Sequence, residues 1–185
     1  MELPWNVVVV TGVPGVGKTT LCRRVSEDVG YNYINYGDLM LDIAKSKDLA
    51  STDFEMFSLD IDTQQEIWEG AALKIKEMNR VLVDLHGVDQ SSIGYILSLP
   101  IEIISPDIIV VIESSKDNIL QRRHKDTKER ITDTIKSLKE HINILRTSMA
   151  ICSAILGCNL IVLENDDFED CFTKLKNILG TGSVL

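Results

Sequence analysis

Aromatic residues are scarce in this chain, at 5% of 185 residues, although hydrophobic residues as a whole reach 44%. A core short of rings is filled instead by Val, Ile and Leu, which suits helices packed on a buried parallel sheet. Long apolar runs are missing too. Stretches such as Ile108 to Ile112 fall far short of the roughly 20 residues that a membrane span requires. The opening MELPWN has neither a charged n-region nor an apolar h-region, so no secretory leader is expected there and the chain is expected in the cytosol. The four cysteines, Cys22, Cys152, Cys158 and Cys171, form no CxxC pair and no Cys/His cluster with zinc-like spacing, and they read as small buried apolar side chains. Positive charge is also in deficit. Nineteen Lys and Arg face 28 Asp and Glu, a formal net charge of −9, which argues against a broad nucleic-acid or membrane-binding surface. An anionic ligand must then be held by a local cluster of positive groups.

What is present is ordered alternation. Val7 to Val10, flanked by Asn6 and Thr11, reads as a buried parallel strand, and from Gly17 to about Val29 the pattern turns helical, with Leu21, Val25 and Val29 four apart. Val81 to Leu85, Ile108 to Ile112 and Leu160 to Leu163 have strand character, and YNYINY is a weaker, more polar candidate. Helical patterns alternate with them, as a doubly wound α/β fold requires. Two helical stretches, about Gly37 to Lys47 and Asp62 to Asn79, form an insert larger than a plain crossover needs. The second carries Trp68, Ala71, Ala72, Ile75 and Met78 on one face. From Ile131 to Leu156 apolar residues step by four and three alternately, predicting one long helix. The closing GTGSVL reads as a frayed tail. With no internal repeat, residues 1–185 are expected to form a single domain.

The stretch Gly12, Val13, Pro14, Gly15, Val16, Gly17, Lys18, Thr19 fits GxxxxGK[ST], and it lies where that motif must lie, after a buried strand and opening a helix. Glycines let the backbone wrap so that successive N–H groups converge on phosphate oxygens, aided by the positive end of the helix dipole. Lys18 is placed to bridge the β- and γ-phosphates and Thr19 to put its hydroxyl on Mg²⁺. A tight strand-to-helix turn explains one or two glycines, but not Lys18 and Thr19 beside them. Asp84, closing the strand in VLVDLHG, is the acid expected to hold the magnesium or its waters.

Two kinds of function use these parts. DLHG, Asp84 to Gly87, also satisfies the DxxG of regulatory GTPases, but the guanine-reading NKxD is absent after Ile108 to Ile112, where Ser115-Lys116-Asp117 stands instead. A regulatory switch is therefore disfavoured. Phosphotransfer predicts arginines that neutralise the moving phosphoryl group and a segment that excludes water. Arg122 and Arg123 end a helix beginning near Asn118, Arg130 lies in a charged segment, and Arg146 sits within about 40° of Ile142 on a helical wheel. An arginine flanking a buried stripe wants an anion or a carboxylate.

At this point the chain resembles the nucleoside monophosphate kinases, most closely the archaeal-type adenylate kinases. The resemblance runs in order through VVVVTGVPGVGKTT, NYGDLMLDIAK, DTQQEI, VLVDLHG, GYILSLP, IIVVIES, ILQRRHKDTKER, EHINILR and GCNLIVLEN. It implies a P-loop NTPase fold, a three-layer α/β/α sandwich with about five parallel strands, a helical NMP-binding insert at about 37–79 and a short lid at about 124–134. It implies reversible Mg²⁺-dependent phosphoryl transfer from ATP to AMP, giving two ADP, by a homotrimer. Gly12 to Thr20 would cradle the ATP phosphates and Asp84 would anchor magnesium waters. Arg123 would lie against the ATP side, Arg130 would come from the lid and Arg146 would reach the transferring phosphate. Tyr36, Gly37 and Asp38 fall where the NMP-binding helix begins, and His86 follows the acid-bearing strand. The alternative is a P-loop kinase for another nucleoside monophosphate or small acceptor. Two departures stand out: Phe57-Ser58 replaces an Arg-Lys pair before DTQ, removing an expected arginine contact to the monophosphate, and Glu129 stands near where the lid's first arginine would fall. Lys45 and Lys47 are candidates to replace that contact. Ile144, Ile151 and Ile155, off the main stripe, are candidates for a subunit contact.

Overall fold

A computed structural model describes residues 3–91, 94–125 and 135–182. Five strands, β1 (Val7–Thr11), β2 (Asn32–Asn35), β3 (Val81–Asp84), β6 (Ile108–Glu113) and β7 (Asn159–Glu164), form one parallel sheet in the order β2-β3-β1-β6-β7. The three strands with the strongest apolar runs take its centre. Val8, Val9, Val10, Val81, Val83 and Ile109 are all wholly buried, which is why they read as continuous hydrophobic runs without alternation. The edge strands differ. β7, the strand expected over Leu160 to Leu163, has a neighbour on one side only, and of its apolar run Leu163 is buried whereas Val162 stays 40% exposed.

Helices α1 (Lys18–Val29) and α7 (Phe168–Thr181) pack together, and α6 (Ile135–Leu156) packs on β6 and β7. The stripe foreseen along α6 is the packed one: Leu138, Leu145, Met149 and Cys152 are buried. The predicted start of that helix at Ile131 lies outside the described residues. α7 runs on through Gly180 and Thr181 to an αL cap at Gly182, whose N–H donates to the Ile178 carbonyl, so the tail is ordered further than its composition suggests.

Between β2 and β3 stand three helices, α2 (Tyr36–Ser46), α3 (Asp53–Phe57) and α4 (Ile61–Lys76), with α2 packed on α4. α4 buries Ile67, Ala71, Ala72 and Ile75. The five-residue α3 is too short to show a period, and it is held by its Thr52 N-cap, which accepts from the Glu55 N–H. A hairpin of β4 (Val88–Ser91) and β5 (Gly94–Leu97) follows β3, and its mixed polarity hid it from sequence patterning. Tyr95 lies 5.4 Å from the buried His141 of α6, whose Nε2 is 2.9 Å from the Val88 carbonyl. The remaining helix is α5 (Lys116–Lys125). Cys22, Cys152 and Cys171 are buried, Cys158 is partly so, and all four are free thiols. Burial pushes each thiol up, Cys171 to about 11, so they are packing groups and not nucleophiles at neutral pH. No helix among the described residues is long and apolar enough to cross a membrane.

Candidate active site

The register sets the site. Val10 of β1 pairs with Asp84 of β3, so the loop leaving β1 and the carboxylate ending β3 emerge together at the C-terminal edge of the sheet, where parallel α/β folds bind ligands. The loop reaches α1 through Gly15 and Gly17 at φ +93° and +91°, backbone that only glycine adopts without strain. A Cβ on Gly17 would also stand 2.7 Å from the Asn165 side-chain nitrogen. Gly17 is the N-cap of α1, has no side chain to cap with, and is followed by no acid in the first turn. By contrast α2, α3, α4 and α7 begin with side-chain caps from Asn35, Thr52, Asp60 and Asp167. The first-turn N–H groups of α1 are left to an external anion.

Lys18 follows, 5% exposed, with its Nζ 2.6 Å from the Gly12 carbonyl. The Thr19 hydroxyl donates to Asp84 Oδ2 at 2.7 Å, and the same oxygen accepts from the Tyr33 hydroxyl and from Asn35 Nδ2, each at 3.2 Å. Three donors hold this carboxylate, itself 3% exposed, in one orientation. Burial and the neighbouring Asp84 push the Tyr33 phenol up to about 12, so it remains a donor. Among the described residues no group of three or more His, Cys, Asp or Glu is placed to hold a metal ion by itself. One hydroxyl and one carboxylate are what a Mg²⁺ uses when phosphates and waters supply the rest, so the donor set fits that ion.

Helix α5 fastens the loop from behind. Arg122 donates to the carbonyls of Val16 (2.9 Å) and Asn165 (2.8 Å), Arg123 Nε donates to the Pro14 carbonyl (2.8 Å), and Asn165 Nδ2 donates to the Val16 carbonyl (2.7 Å). The Gly12 and Val16 N–H groups donate to the carbonyls of His86 and Val13, so with the Pro14 and Val16 carbonyls taken on this side it is the N–H groups of Gly15 and Gly17 that are left for the other. Asn165 is buried and its Oδ1 has no partner among the described residues. Next to it, Asp166 Oδ1 accepts from Ser114 Oγ, the Ser115 N–H and Asn118 Nδ2 at 2.7, 2.7 and 3.1 Å. These contacts hold its carboxyl down at about 2. Arg122 as a loop anchor and Asn165 were not singled out from the sequence. The available signal was position, since Asn165 and Asp166 follow the C-terminal end of a parallel strand.

In front of the loop lies a cleft of 1280 Å³. It gathers most of the expected residues: Gly15, Gly17, Lys18, Thr19, Thr20 and Asp84 line one end, and Tyr36, Gly37, Asp38 and His86 line the rest. Gly12 holds the Lys18 ammonium, Pro14 lines the cleft, and Val13 and Val16 turn inward and are buried. The Tyr36 ring is buried, with its hydroxyl given to the Trp68 carbonyl at 2.6 Å, so it fastens α2 to α4. His86 Nδ1 lies 2.7 Å from Asp89 Oδ1, and the His86 carbonyl accepts from the Gly12 N–H. Arg146 is placed elsewhere: it pairs with Glu113 through both guanidinium arms, Nε to Oε1 at 2.8 Å, and does not line the cleft. The carboxylate partner that its position called for is thus Glu113. Arg130 and Glu129 lie outside the described residues, as does most of the lid expected at 124–134. Phe57 lines the cleft, whereas Lys45 and Lys47 do not, the latter lying 4.0 Å from Glu66.

Comparison with known proteins agrees with this geometry. A family model described as an AAA domain matches residues 11–139. The chain is 49% identical over 174 residues to an adenylate kinase homolog of Methanothermobacter thermautotrophicus, covering 94% of this chain and 92% of that relative. It is 39% identical over 171 residues to an adenylate kinase of Methanopyrus kandleri, covering 87% and 90%. Among solved structures it is similar to the shikimate kinase of Bacteroides thetaiotaomicron, with a TM-score of 0.61 at 13% identity over 94% of this chain and 98% of that one, a likeness of fold.

Proposed function

The chain belongs to the adenylate kinase family of nucleoside monophosphate kinases, and from that premise we propose that it transfers the γ-phosphoryl group of ATP reversibly to AMP, giving two ADP. The observation that carries the reading is the grouping of Lys18, Thr19 and Asp84 at the uncapped start of α1, facing a cleft large enough for two nucleotides. The N–H groups of Gly15 and of Gly17 to Thr20 hold the donor phosphates, and Lys18 neutralises charge that grows on the transferring phosphoryl oxygens. Thr19 and Asp84 would hold Mg²⁺, which when bound supplies further neutralisation of the phosphate oxygens. Arg122, Arg123 and Asn165 act on the loop and keep its donors aimed. Gly37, Asp38 and His86 border the acceptor, Arg130 is proposed to reach the phosphates from the lid, and Arg146 to join them by exchanging Glu113 for phosphate. We also propose a cytosolic homotrimer, supported by the exposed Ile151 and Ile155.

A coupled assay offers AMP, GMP, CMP and UMP in turn with ATP and Mg²⁺. AMP is expected to give a kcat/KM at least about tenfold above the others, a 1.4 kcal/mol difference in transition-state binding. A higher value for another monophosphate, or turnover with none, overturns the proposal.

A further inference from the structure

Asn35 joins two parts of the cleft with one side chain. It closes β2 in register with Asp84 at the end of β3. Its Nδ2 donates to Asp84 Oδ2 at 3.2 Å, the oxygen that also accepts from the Thr19 hydroxyl at 2.7 Å. Its Oδ1 is the N-cap of α2 and accepts from the Asp38 N–H at 3.1 Å. The two partners fix the orientation of the amide, because a backbone N–H can only donate and a carboxylate can only accept. A line of bonds thus runs from Thr19, in the first turn of α1, through Asp84 and Asn35 to the first turn of α2.

That second turn belongs to the acceptor side. Tyr36, Gly37 and Asp38 line the cleft, as does Asn35 itself. The Tyr36 hydroxyl donates to the Trp68 carbonyl at 2.6 Å, which carries the link on to α4, whose Gln64, Gln65 and Trp68 also line the cleft. A cap alone does not call for asparagine. Serine or aspartate satisfies the same N–H, but a serine hydroxyl sits on Cβ, one bond short of the amide nitrogen, and an aspartate brings no donor to a second carboxylate. Asparagine supplies an acceptor and a donor together, without charge.

We propose that Asn35 is a positioning residue that couples the two nucleotide sites: a ligand that fixes Thr19 and Asp84 fixes the Asn35 amide and, through it, the start of the insert. This rests on the reading of the cleft given above as a donor and an acceptor site. Ordering the α2 turn costs conformational entropy, and a donor that has already ordered it leaves less for the acceptor to lose. The coupling is reciprocal, each ligand tightening the other by the same factor.

The test is hydrogen exchange of the full chain, read by mass spectrometry over residues 36–40, with and without a non-hydrolysable ATP analogue and Mg²⁺. Donor loading is expected to slow exchange there about fivefold or more, and to tighten AMP by a similar factor in a calorimetric titration. Asn35→Ser, which retains a capping oxygen and loses the reach to Asp84, is expected to reduce both effects below about twofold. Asn35→Ala is expected to lose both and also to exchange faster at 36–40 without any ligand, since the cap is gone as well. An Asn35→Ser protein that responds to donor loading as the parent does shows a cap and nothing more, and overturns the inference. A parent whose exchange at 36–40 ignores the donor overturns it too. The exchange readout requires no acceptor, so the two claims fail separately. A chain that phosphorylates AMP but transmits no protection to α2 loses only the coupling. A chain that transmits it yet phosphorylates no monophosphate loses only the assigned reaction.

Discussion

Lys18 shows how one side chain serves the fold and the site together. Its ammonium is buried against the Gly12 carbonyl, a position reached only because the loop leaves β1 and re-enters α1 within a few residues. Lys18→Ala is expected to lower turnover by several powers of ten, since a charge acting on the transferring phosphates carries several kcal/mol of barrier. Far-ultraviolet circular dichroism should show the parent's helix content in the same sample. Turnover equal to that of the parent would remove Lys18 from the chemistry. The grouping of Lys18, Thr19 and Asp84 was legible in the sequence because a P-loop is a local pattern whose parts sit at fixed offsets. Phe57 was legible only as a departure. That it lines the cleft depends on where α3 packs.

At the scale of the element, α5 carries the arginines that fasten the loop, and Asp166 fastens α5. Its carboxyl, held at about 2 by Ser114, the Ser115 N–H and Asn118, lies below its ordinary value. It therefore contributes stability that is fully present above about pH 4 and is lost as the pH falls through the folded value. Asp166→Asn is expected to lower the melting temperature at neutral pH, and the gap to the parent should close between about pH 4 and pH 2. A gap that stays constant through that range would show that the carboxylate's charge does not hold the helix start. This link was hidden from sequence reading, since Asp166 and Ser114 stand 52 positions apart, and only the pairing of β6 with β7 brings their ends together. The long stripe of α6 was readable for the opposite reason: a helix repeats its buried face every three or four residues. The hairpin of β4 and β5 was not readable, being short, mixed in polarity and dependent on α6 for support.

Over the described residues of the molecule, large apolar side chains stay exposed along the cleft, at Phe54 and Leu73 on the insert helices, and on the outer side of α6 with its neighbour β7. Ile151 and Ile155 are 55% and 66% exposed, and Val162 on β7 is 40% exposed, a liability for a lone chain. Light scattering is expected to give three times the 20.7 kDa chain mass, and Ile155→Asp is expected to reduce it to a single chain by placing a charge in the contact. A parent protein that scatters as a monomer at micromolar concentration overturns the trimer. The sequence by itself determined the five-stranded parallel sheet, the phosphate loop and its partner acid, because each rests on short-range regularities: continuous apolar runs for strands buried on both faces, glycines at fixed spacing, and a carboxylate ending a strand. Only the tertiary structure decided that Arg146 pairs with Glu113, that Arg122 and Asn165 hold the loop, and that Phe57 lines the cleft. A side chain's partner is set by the register of strands distant in sequence and by the packing of helices across them, and no local pattern records either.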